Sequence, residues 1–268
     1  MDEDDIMTPR EALASLALKY QGDYIAMDRA LKGHQEENLG DYFRAVRKLK
    51  VRYTTILDAD FPAALSKIHC APFVLFYEGD LDLLSNVDHC IAMVGSRKSH
   101  PYGEKMTFEF ASSLAQRGYT IVSGLAAGID TKALEGALPH GKAVAFLGNG
   151  TRHYYPPDNE ELQRRIATCG LLISEYPPFV APKPRHFPAR NRLIAGSSAL
   201  TIIGEAQEKS GSLITAGFAL SYQRDVACFP QQADVAPGSN HLISDGAFLI
   251  QDIEDVETIL GSRLIKGE

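Results

Sequence analysis

The sequence predicts an α/β protein with a doubly wound parallel sheet and a small N-terminal helical domain. Between residues 90 and 230, short apolar segments alternate with stretches that have helical periodicity. The segments are apolar without alternation, as expected for strands that are covered on both faces. They end in Gly- and Ser-rich turns, and in a doubly wound sheet the ligand binds beyond the carboxyl ends of the strands. We therefore expect the functional site at those turns.

The composition is typical of a globular protein of a reducing compartment. With 268 residues, 45% of them hydrophobic, the chain can form one large core and a small additional domain. Its 4 cysteines are dispersed without a C-x-x-C pair, which predicts neither a metal site nor a disulfide framework. The first residues are acidic where a secretion signal is basic, and no apolar run is long enough to cross a bilayer. We predict a cytoplasmic protein without a cofactor, a metal or a membrane contact.

The distribution of charge says more about the ligand than its sum does. A net charge of −7 argues against a protein that coats its surface with nucleic acid. However, residues 183–192 contain four Lys or Arg and no carboxylate, whereas residues 245–268 contain two cations and six carboxylates, a local net charge of 2 − 6 = −4. An acidic body with one basic cleft focuses an anionic ligand into that cleft.

The first part of the chain differs in pattern from the rest. Two segments with helical spacing of apolar residues, 9–20 and 41–51, flank a polar stretch at 32–41 that predicts a loop. We assign residues 1–50 to a small helical domain and residues 51–268 to the large domain. The small domain has two interpretations, a module that contacts protein or DNA and a cap that stabilises the large domain.

The large domain is predicted element by element. A turn and a short helix at 57–68 lead into a strand at 73–79. The regular strands follow at 90–95, 119–124, 142–148, 171–176, 199–204 and 225–230. Helices are expected to begin near Pro101, Ile129, Asp158, Phe187 and Ser212. A last strand at 247–250 and a closing helix at 252–260 complete the domain.

The segment from His186 to Gly217 carries the strongest functional signal. It begins with a cationic turn that contains Arg190 and Arg192, and it continues through an apolar strand. A Gly/Ser turn then opens a helix at Ser210, Gly211 and Ser212. The free backbone N–H groups of a helix N-terminus, together with the helix dipole, favour negative charge. We expect a phosphate-bearing ligand here.

The turns after the first two regular strands face the same crevice. Gly95 and Ser96 allow a sharp turn that leaves Arg97 at the ligand end of the sheet, in position for a phosphate contact. Gly124 and Gly128 allow a ligand or a helix to approach closely after the second strand. The second turn is not G-x-G-x-x-G and lacks the acidic residue that holds a ribose diol, which argues against a dehydrogenase.

The loops after the next two strands carry aromatic side chains. Tyr155 follows the third strand and either stacks on bases or packs against the protein. The proline-rich segment after the fourth strand interleaves aromatic residues, among them Phe179 and Phe187, with Lys183 and Arg185. Such interleaving suits single-stranded nucleic acid, because bases stack on aromatic rings while guanidinium groups pair with phosphates.

The sequence gives little support for catalysis. It contains no H-E-x-x-H, no G-x-S-x-G and no P-loop pattern. Glu175 and Glu205 follow strands and could act as bases if they met at one site, but each could equally neutralise a neighbouring arginine. We therefore expect a binding protein and not an enzyme.

Several motifs together resemble the DprA/Smf DNA-processing family. They are VGSR, SGLAAGID, the G-x-G loop with YPP, SEYPP, HFPARNRLIAG, SGSLITA and GSNHLISDGA, in this order over about residues 55–250. The resemblance implies an extended Rossmann-type domain that binds single-stranded DNA and forms a homodimer. It also implies a role in natural transformation, in which the protein protects incoming single strands and loads the RecA recombinase onto them.

The resemblance also implies which residues contact DNA. Arg97 matches the arginine of VGSR, and Arg190, Asn191 and Arg192 match the ARNR segment. Gly95 and Ser96 belong to the same VGSR motif. The glycines and serines that match the turns lining the family's pocket are Gly124, Gly128, Ser210, Gly211 and Ser212. Pro157 stands where many members have a DNA-contacting lysine, and our hypothesis is that Arg152 replaces it.

A related class of Rossmann-type enzymes gives the alternative. Nucleotide phosphoribohydrolases carry P-G-G-x-G-T-x-x-E at the matching strand, turn and helix, whereas this chain has EAQEKSGSLITAG there. Because no glutamate follows the glycine turn, the carboxylate that supports their chemistry is missing, and we prefer the binding function.

Overall fold

The computed structural model describes residues 6–33 and 37–266. The acidic residues 1–5, part of the predicted loop at 34–36 and the end at 267–268 lie outside the described residues. The helices are α1 (Pro9–Lys19), α2 (Tyr24–Lys32), α3 (Gly40–Val46), α4 (Ala63–Ser66), α5 (Pro101–Gln116), α6 (Ile129–Ala137), α7 (Glu160–Cys169), α8 (His186–Gly196), α9 (Gly211–Ser221), α10 (Pro237–Ser244) and α11 (Ile253–Lys266). The strands are β1 (Arg52–Thr55), β2 (Val74–Gly79), β3 (Cys90–Val94), β4 (Thr120–Ser123), β5 (Ala143–Phe146), β6 (Leu171–Ser174), β7 (Leu200–Ile203), β8 (Asp225–Cys228) and β9 (Phe248–Leu249).

Within the described residues the strands form one sheet in the order β1-β2-β6-β5-β4-β3-β7-β8-β9. Neighbouring strands from β6 through to β9 are parallel, and β2 and β1 extend the sheet in antiparallel pairs. The predicted doubly wound α/β fold and its strands are confirmed. Strand β1 was not predicted, because it is short and polar at one end, with Arg52 exposed at the edge of the sheet. Helices α2 and α10 were not predicted either.

The inner strands are apolar because helices cover both faces of the sheet. On one face, α5, α6, α7 and α11 bury side chains such as Leu114, Leu134 and Ile166 against the strands. On the other face, α4, α8 and α9 contribute a separate cluster that includes Leu65 and Leu193. The absence of alternation in strands such as CIAMV, which is buried along its whole length, follows from this two-sided packing.

The N-terminal helices pack against the antiparallel edge of the sheet. Helix α1 begins with a capping box, in which Thr8 and Glu11 exchange hydrogen bonds, and Pro9 occupies its first turn. Leu16 of α1 and Met27 of α2 share a hydrophobic cluster with Phe76 of β2. The helices therefore contribute to a common core with the sheet, and the domain boundary at residue 50 stays a prediction.

The order in which strands are added to the sheet switches sides at β3 and β7. Strand β3 pairs with β4 on one side and with β7 on the other, and the strands then continue outward in both directions. A doubly wound sheet has its binding crevice at such a switch point, beyond the carboxyl ends of the strands. The turns that follow β3, β4 and β7 therefore meet at one place.

The predicted cationic turn at Arg190 and Arg192 is wrong, since both residues lie within helix α8 and are buried. The Arg192 guanidinium pairs with both carboxylate oxygens of Glu175, at 2.7 and 2.5 Å, and the two side chains are 7% and 8% exposed. Its Nε also donates to the carbonyl oxygen of Cys70 at 3.0 Å. Burial acts to lower the pKa of Arg192, but the adjacent Glu175 carboxylate outweighs it, so the pKa is raised. The pair ties α8 to the end of β6.

We predict that this ion pair contributes strongly to stability. In Arg192→Ala the Glu175 carboxylate stays buried without its partner, so we expect a loss of about 3–5 kcal/mol in the free energy of unfolding, measured by urea denaturation. Replacing both residues with Met should recover most of the loss, because no charge is then buried.

The matched control is Arg152→Ala. Arg152 pairs with Glu78 at 3.2 Å, but its side chain is 43% exposed, so we expect a change of at most about 1 kcal/mol. If Arg192→Ala were no less stable than this control, the buried pair would not anchor α8.

Candidate functional site

A cavity of about 470 Å³ opens at the switch point of the sheet. The turn after β3, the end of the proline-rich segment after β6, helix α8 and the N-terminus of α9 contribute its walls. The residues that the sequence predicted and the structure brings together here are Gly95, Arg97, Tyr155, Lys183, Phe187, Arg190, Asn191, Ser210, Gly211 and Ser212. A smaller cavity of about 220 Å³ adjoins it and is lined by the turn after β4, including Gly124.

Two cationic side chains of the cavity wall are accessible to a ligand. Arg97 is exposed, and its guanidinium lies 5.4 Å from the centre of the Phe187 ring. Lys183 is half-buried, and its Nζ donates to Oε1 of Gln21 at 3.3 Å. A charge of +2 in a partly enclosed site attracts phosphates more strongly than the same charge on an open surface.

Arg190 has a different role, because its guanidinium is committed to the backbone. Its Nη1 donates to the carbonyl oxygens of Gly124 and Phe146, at the ends of β4 and β5. Burial lowers its pKa to about 10 although Asp130 acts in the opposite direction. A Cβ at Gly124 would lie 2.6 Å from the Arg190 guanidinium, so any larger residue there would displace this guanidinium from its hydrogen bonds.

Asp130 completes this buried arrangement beneath the cavity. Its two carboxylate oxygens accept from the backbone N–H groups of Gly95, at 3.2 Å, and Gly124, at 3.1 Å. Burial raises its pKa, which Arg190 and the hydrogen bonds partly oppose. Asp130 and Arg190 thus fix the turns after β3 and β4 from below, and Arg97 extends from the first of these turns.

The N-terminus of α9 points its first residues at the cavity. Ser210 is the N-cap, and its hydroxyl accepts from the Ser212 N–H at 3.3 Å. Asn191 donates from its side chain to the carbonyl oxygen of Gly211 at 3.3 Å, which joins α9 to α8. Apart from its chain neighbours and the backbone of α9, no atom lies within 4 Å of a Cβ built at Gly211, so this end of the helix is open to a ligand. The arrangement can bind an anion.

Two aromatic rings line both cavities. Tyr155 and Phe187 lie with their ring centres 5.3 Å apart, and Tyr155 is 38% exposed. Gly148 makes room for this pair, because a Cβ there would lie 2.7 Å from the Phe187 ring. His186 fixes the start of α8 by stacking on Tyr176 and by donating from Nδ1 to the Gly148 carbonyl at 3.0 Å. Phe187 is therefore held with one part of its surface free.

Other predicted site residues lie outside the cavity wall. Arg192 is enclosed in its pair with Glu175. Arg152 pairs with Glu78, and Arg185 pairs at 3.3 Å with Asp23, in the turn between α1 and α2. Ser96 and Gly128 connect the turn after β3 to the start of α6. The Ser96 carbonyl accepts from the Ile129 N–H at 3.2 Å, and a Cβ at Gly128 would lie 2.3 Å from that carbonyl oxygen.

Sequence reasoning missed some of the lining residues. Ile214 and Thr215 lie one turn into α9 and line the cavity together with Pro182 and Pro184 of the proline-rich segment. The spacing of Gly211 and Thr215, four residues apart in a helix that begins at the crevice, was the available signal. The prolines line the wall where the sequence indicated only a stiff connection.

The two glutamates considered as bases do not form a catalytic pair. Glu175 is bound to Arg192, while Glu205 is fully buried and accepts from the His100 N–H at 2.8 Å and contacts His100 Nδ1 at 3.1 Å. The described parts of the chain contain no cluster of His, Cys, Asp and Glu that could hold a metal ion. None of the helices in those parts is long and apolar enough to cross a membrane.

Comparison with known families gives a match over most of the chain. The family described as DNA recombination-mediator protein A matches residues 52–261. DNA processing protein DprA of Streptococcus pneumoniae is 43% identical over 205 residues, which cover 75% of this chain and 72% of that protein. DprA of Bacillus subtilis is 35% identical over 243 residues, covering 88% and 82%. Protein Smf of Synechocystis is 40% identical over 216 residues, 79% of this chain but about half (54%) of its own length.

Solved structures agree with these relatives. DprA from Streptococcus pneumoniae superimposes with a TM-score of 0.74 at 34% identity, covering 94% of this chain and 93% of that one. DNA processing protein A from Helicobacter pylori, described for its single-stranded DNA binding mode, gives a TM-score of 0.71 at 33% identity and covers 81% and 98%. The predicted resemblance and the Rossmann-type fold are confirmed. The chain belongs to the DNA recombination-mediator protein A family, the DprA/Smf DNA-processing proteins.

Proposed function

We propose that this protein binds single-stranded DNA in the cavity at the switch point and acts as a recombination mediator. The observation that carries the proposal is the meeting, in one cavity, of accessible cations, a helix N-terminus and an aromatic pair. These are the groups that bind a single strand, through its phosphates and through the faces of its bases. The single-stranded DNA binding of the Helicobacter pylori relative supports the same ligand.

In the proposed complex, two neighbouring phosphates lie beside the N-terminus of α9, one near Arg97 and the other near Lys183. A neighbouring base stacks on the free part of the Phe187 ring, beside Tyr155. A duplex does not offer the free base faces that this contact needs. None of these groups reads a base edge, so binding is largely independent of sequence.

The cavity supports binding better than catalysis. Among the described residues that line the cavity, one carries a carboxylate, namely Asp130. Both oxygens of this carboxylate accept hydrogen bonds from backbone N–H groups. A phosphoribohydrolase-like reaction, the alternative, would need a free carboxylate at the ribose. Release of free base from a nucleoside monophosphate by the purified protein would favour that alternative.

The cellular role extends the proposal beyond the cavity. We propose that the protein works as a homodimer in the cytoplasm, protects incoming single strands during natural transformation and loads RecA onto them. The first turn of α11 carries Glu254 and Asp255, a candidate charge-complementary surface for RecA. Faster assembly of RecA on single strands coated with single-strand-binding protein would support loading, and sedimentation would give the oligomeric state.

We predict that Arg97→Ala weakens binding of labelled oligo-dT about tenfold, because a charged phosphate contact is lost. With about two phosphates neutralised, by Arg97 and Lys183, the slope of log K against log salt should be roughly −1.4 for the unchanged protein and shallower by about 0.7 for the variant. Fluorescence anisotropy at several salt concentrations measures both. Lys105→Ala is the control, since Lys105 is exposed on α5 outside the cavity wall. An equal slope for Arg97→Ala and this control would refute the phosphate contact.

We also predict that Gly211→Asp abolishes oligo-dT binding without destabilising the fold. The new carboxylate would stand at the N-terminus of α9, where it repels a phosphate but interacts favourably with the helix dipole, by about 0.3–1 kcal/mol. There is room for the side chain, since nothing lies near the Gly211 Cβ position. Gly211→Ala is the matched control and should bind normally. Normal binding by Gly211→Asp would place the strand elsewhere.

A further inference from the structure

The two loops that contribute Tyr155 and Pro182 to the cavity wall are hydrogen-bonded to each other in their outer parts, called the rim below. The Gly150 N–H donates to the Val180 carbonyl at 2.8 Å, and the Arg152 N–H donates to the Pro178 carbonyl at 2.9 Å. A Cβ at Gly150 would lie 2.1 Å from the Pro177 carbonyl oxygen, so the two backbones are in close contact. The loop after β5 and the proline-rich segment after β6 therefore hold each other in place.

Phe179 lies at the rim and is 77% exposed. Its backbone is fixed, because its carbonyl accepts from His153 Nε2 at 2.8 Å and the Val180 N–H closes a turn onto Pro177. Two prolines precede it. A large apolar side chain that is both exposed and held on a stiff loop loses little entropy when it binds a partner.

The neighbouring loop carries a weakly held cation whose backbone adjoins that of Phe179, because the Arg152 N–H donates to the carbonyl of Pro178, the residue before Phe179. Arg152 belongs to the paired loop, and its guanidinium reaches Glu78 at 3.2 Å with 43% of the side chain exposed. An ion pair this exposed is weak, so a phosphate can take the place of Glu78 at little cost. An exposed aromatic ring and an exposed arginine on adjoining backbones can together bind a base and its phosphate.

Phe179 lies close along the chain to a residue of the cavity wall. Pro182 lines the cavity and Phe179 lies three residues before it, so the two are at most about 10 Å apart along an extended chain. A strand that leaves the cavity along the proline-rich segment would therefore pass Phe179. Neither Arg152 nor Phe179 lines the cavity itself.

We propose that Phe179 and Arg152 form a second single-strand subsite outside the cavity, in which Phe179 stacks on a base and Arg152 binds the adjoining phosphate. The subsite rests on the proposed function of the cavity and extends it. It lengthens the bound segment, so its contribution is present only when the oligonucleotide is long enough to reach the rim.

The test compares oligo-dT of about 6 and about 12 nucleotides, both within the range of known single-strand sites. We expect Phe179→Ala to weaken binding of the longer oligonucleotide about five- to tenfold, the lower part of the range for base stacking because the ring is open to water, and to leave the shorter one unchanged. Phe179→Tyr keeps the ring and should bind both lengths normally. Phe108→Ala, which removes a 42%-exposed ring on α5, is the matched control and should change neither.

A direct readout is the fluorescence of 2-aminopurine placed at successive positions of the longer oligonucleotide. We expect one position near an end to be quenched by stacking in the unchanged protein and in Phe179→Tyr, but not in Phe179→Ala. Equal loss of affinity for both lengths, or no loss for either, would overturn the subsite while leaving the cavity assignment intact. Failure of the unchanged protein to bind the shorter oligonucleotide would instead contradict the proposed function itself. Retention of DNA binding with loss of RecA loading in Phe179→Ala would assign the ring to a protein partner and also overturn the subsite.

Discussion

The buried ion pair between Arg192 and Glu175 determines where helix α8 lies, and the cavity depends on that helix. The pair joins the middle of α8 to the end of β6, and Arg190, two residues earlier, joins the same helix to the ends of β4 and β5. Because residues two apart in a helix point to different sides, one short segment reaches three strand ends at once. Phe187, on the first turn of α8, is placed by these anchors.

The cations of the ARNR region and its surroundings therefore divide into two groups with different physical roles. Buried arginines hold strand ends together and are neutralised by protein atoms. Arg97 and Lys183 remain accessible and define the charge that a ligand meets. Burial makes the first group expensive to remove, whereas solvent screens the second and makes its contribution sensitive to salt. A segment of the sequence that is rich in Arg and Lys can therefore contain cations that stabilise the fold as well as cations that are accessible to a ligand.

Much of the fold and part of the site could be predicted from the sequence. Two-sided burial leaves a continuous run of apolar residues in strands such as CIAMV. The Gly/Ser turn also predicted that a helix begins near Gly211, at the crevice. The burial of Arg192 and its ion pair with Glu175 could not be predicted, because Glu175 lies 17 residues away and a charged residue gives no sign in the sequence of whether it is buried. Edge strand β1 escaped prediction because a short strand with a polar end has no clear period.

The turn between α1 and α2 holds the proline-rich segment that forms one wall of the cleft. Gly22 packs so closely on the end of β6 that a Cβ would lie 2.6 Å from the Glu175 carbonyl oxygen, while Gln21 and Asp23 hold Lys183 and Arg185. A fragment that starts at residue 51 would lose these restraints on the proline-rich segment and expose the apolar side chains that the helices cover. We therefore expect the cleft of such a fragment to differ in shape from the cleft of the whole chain.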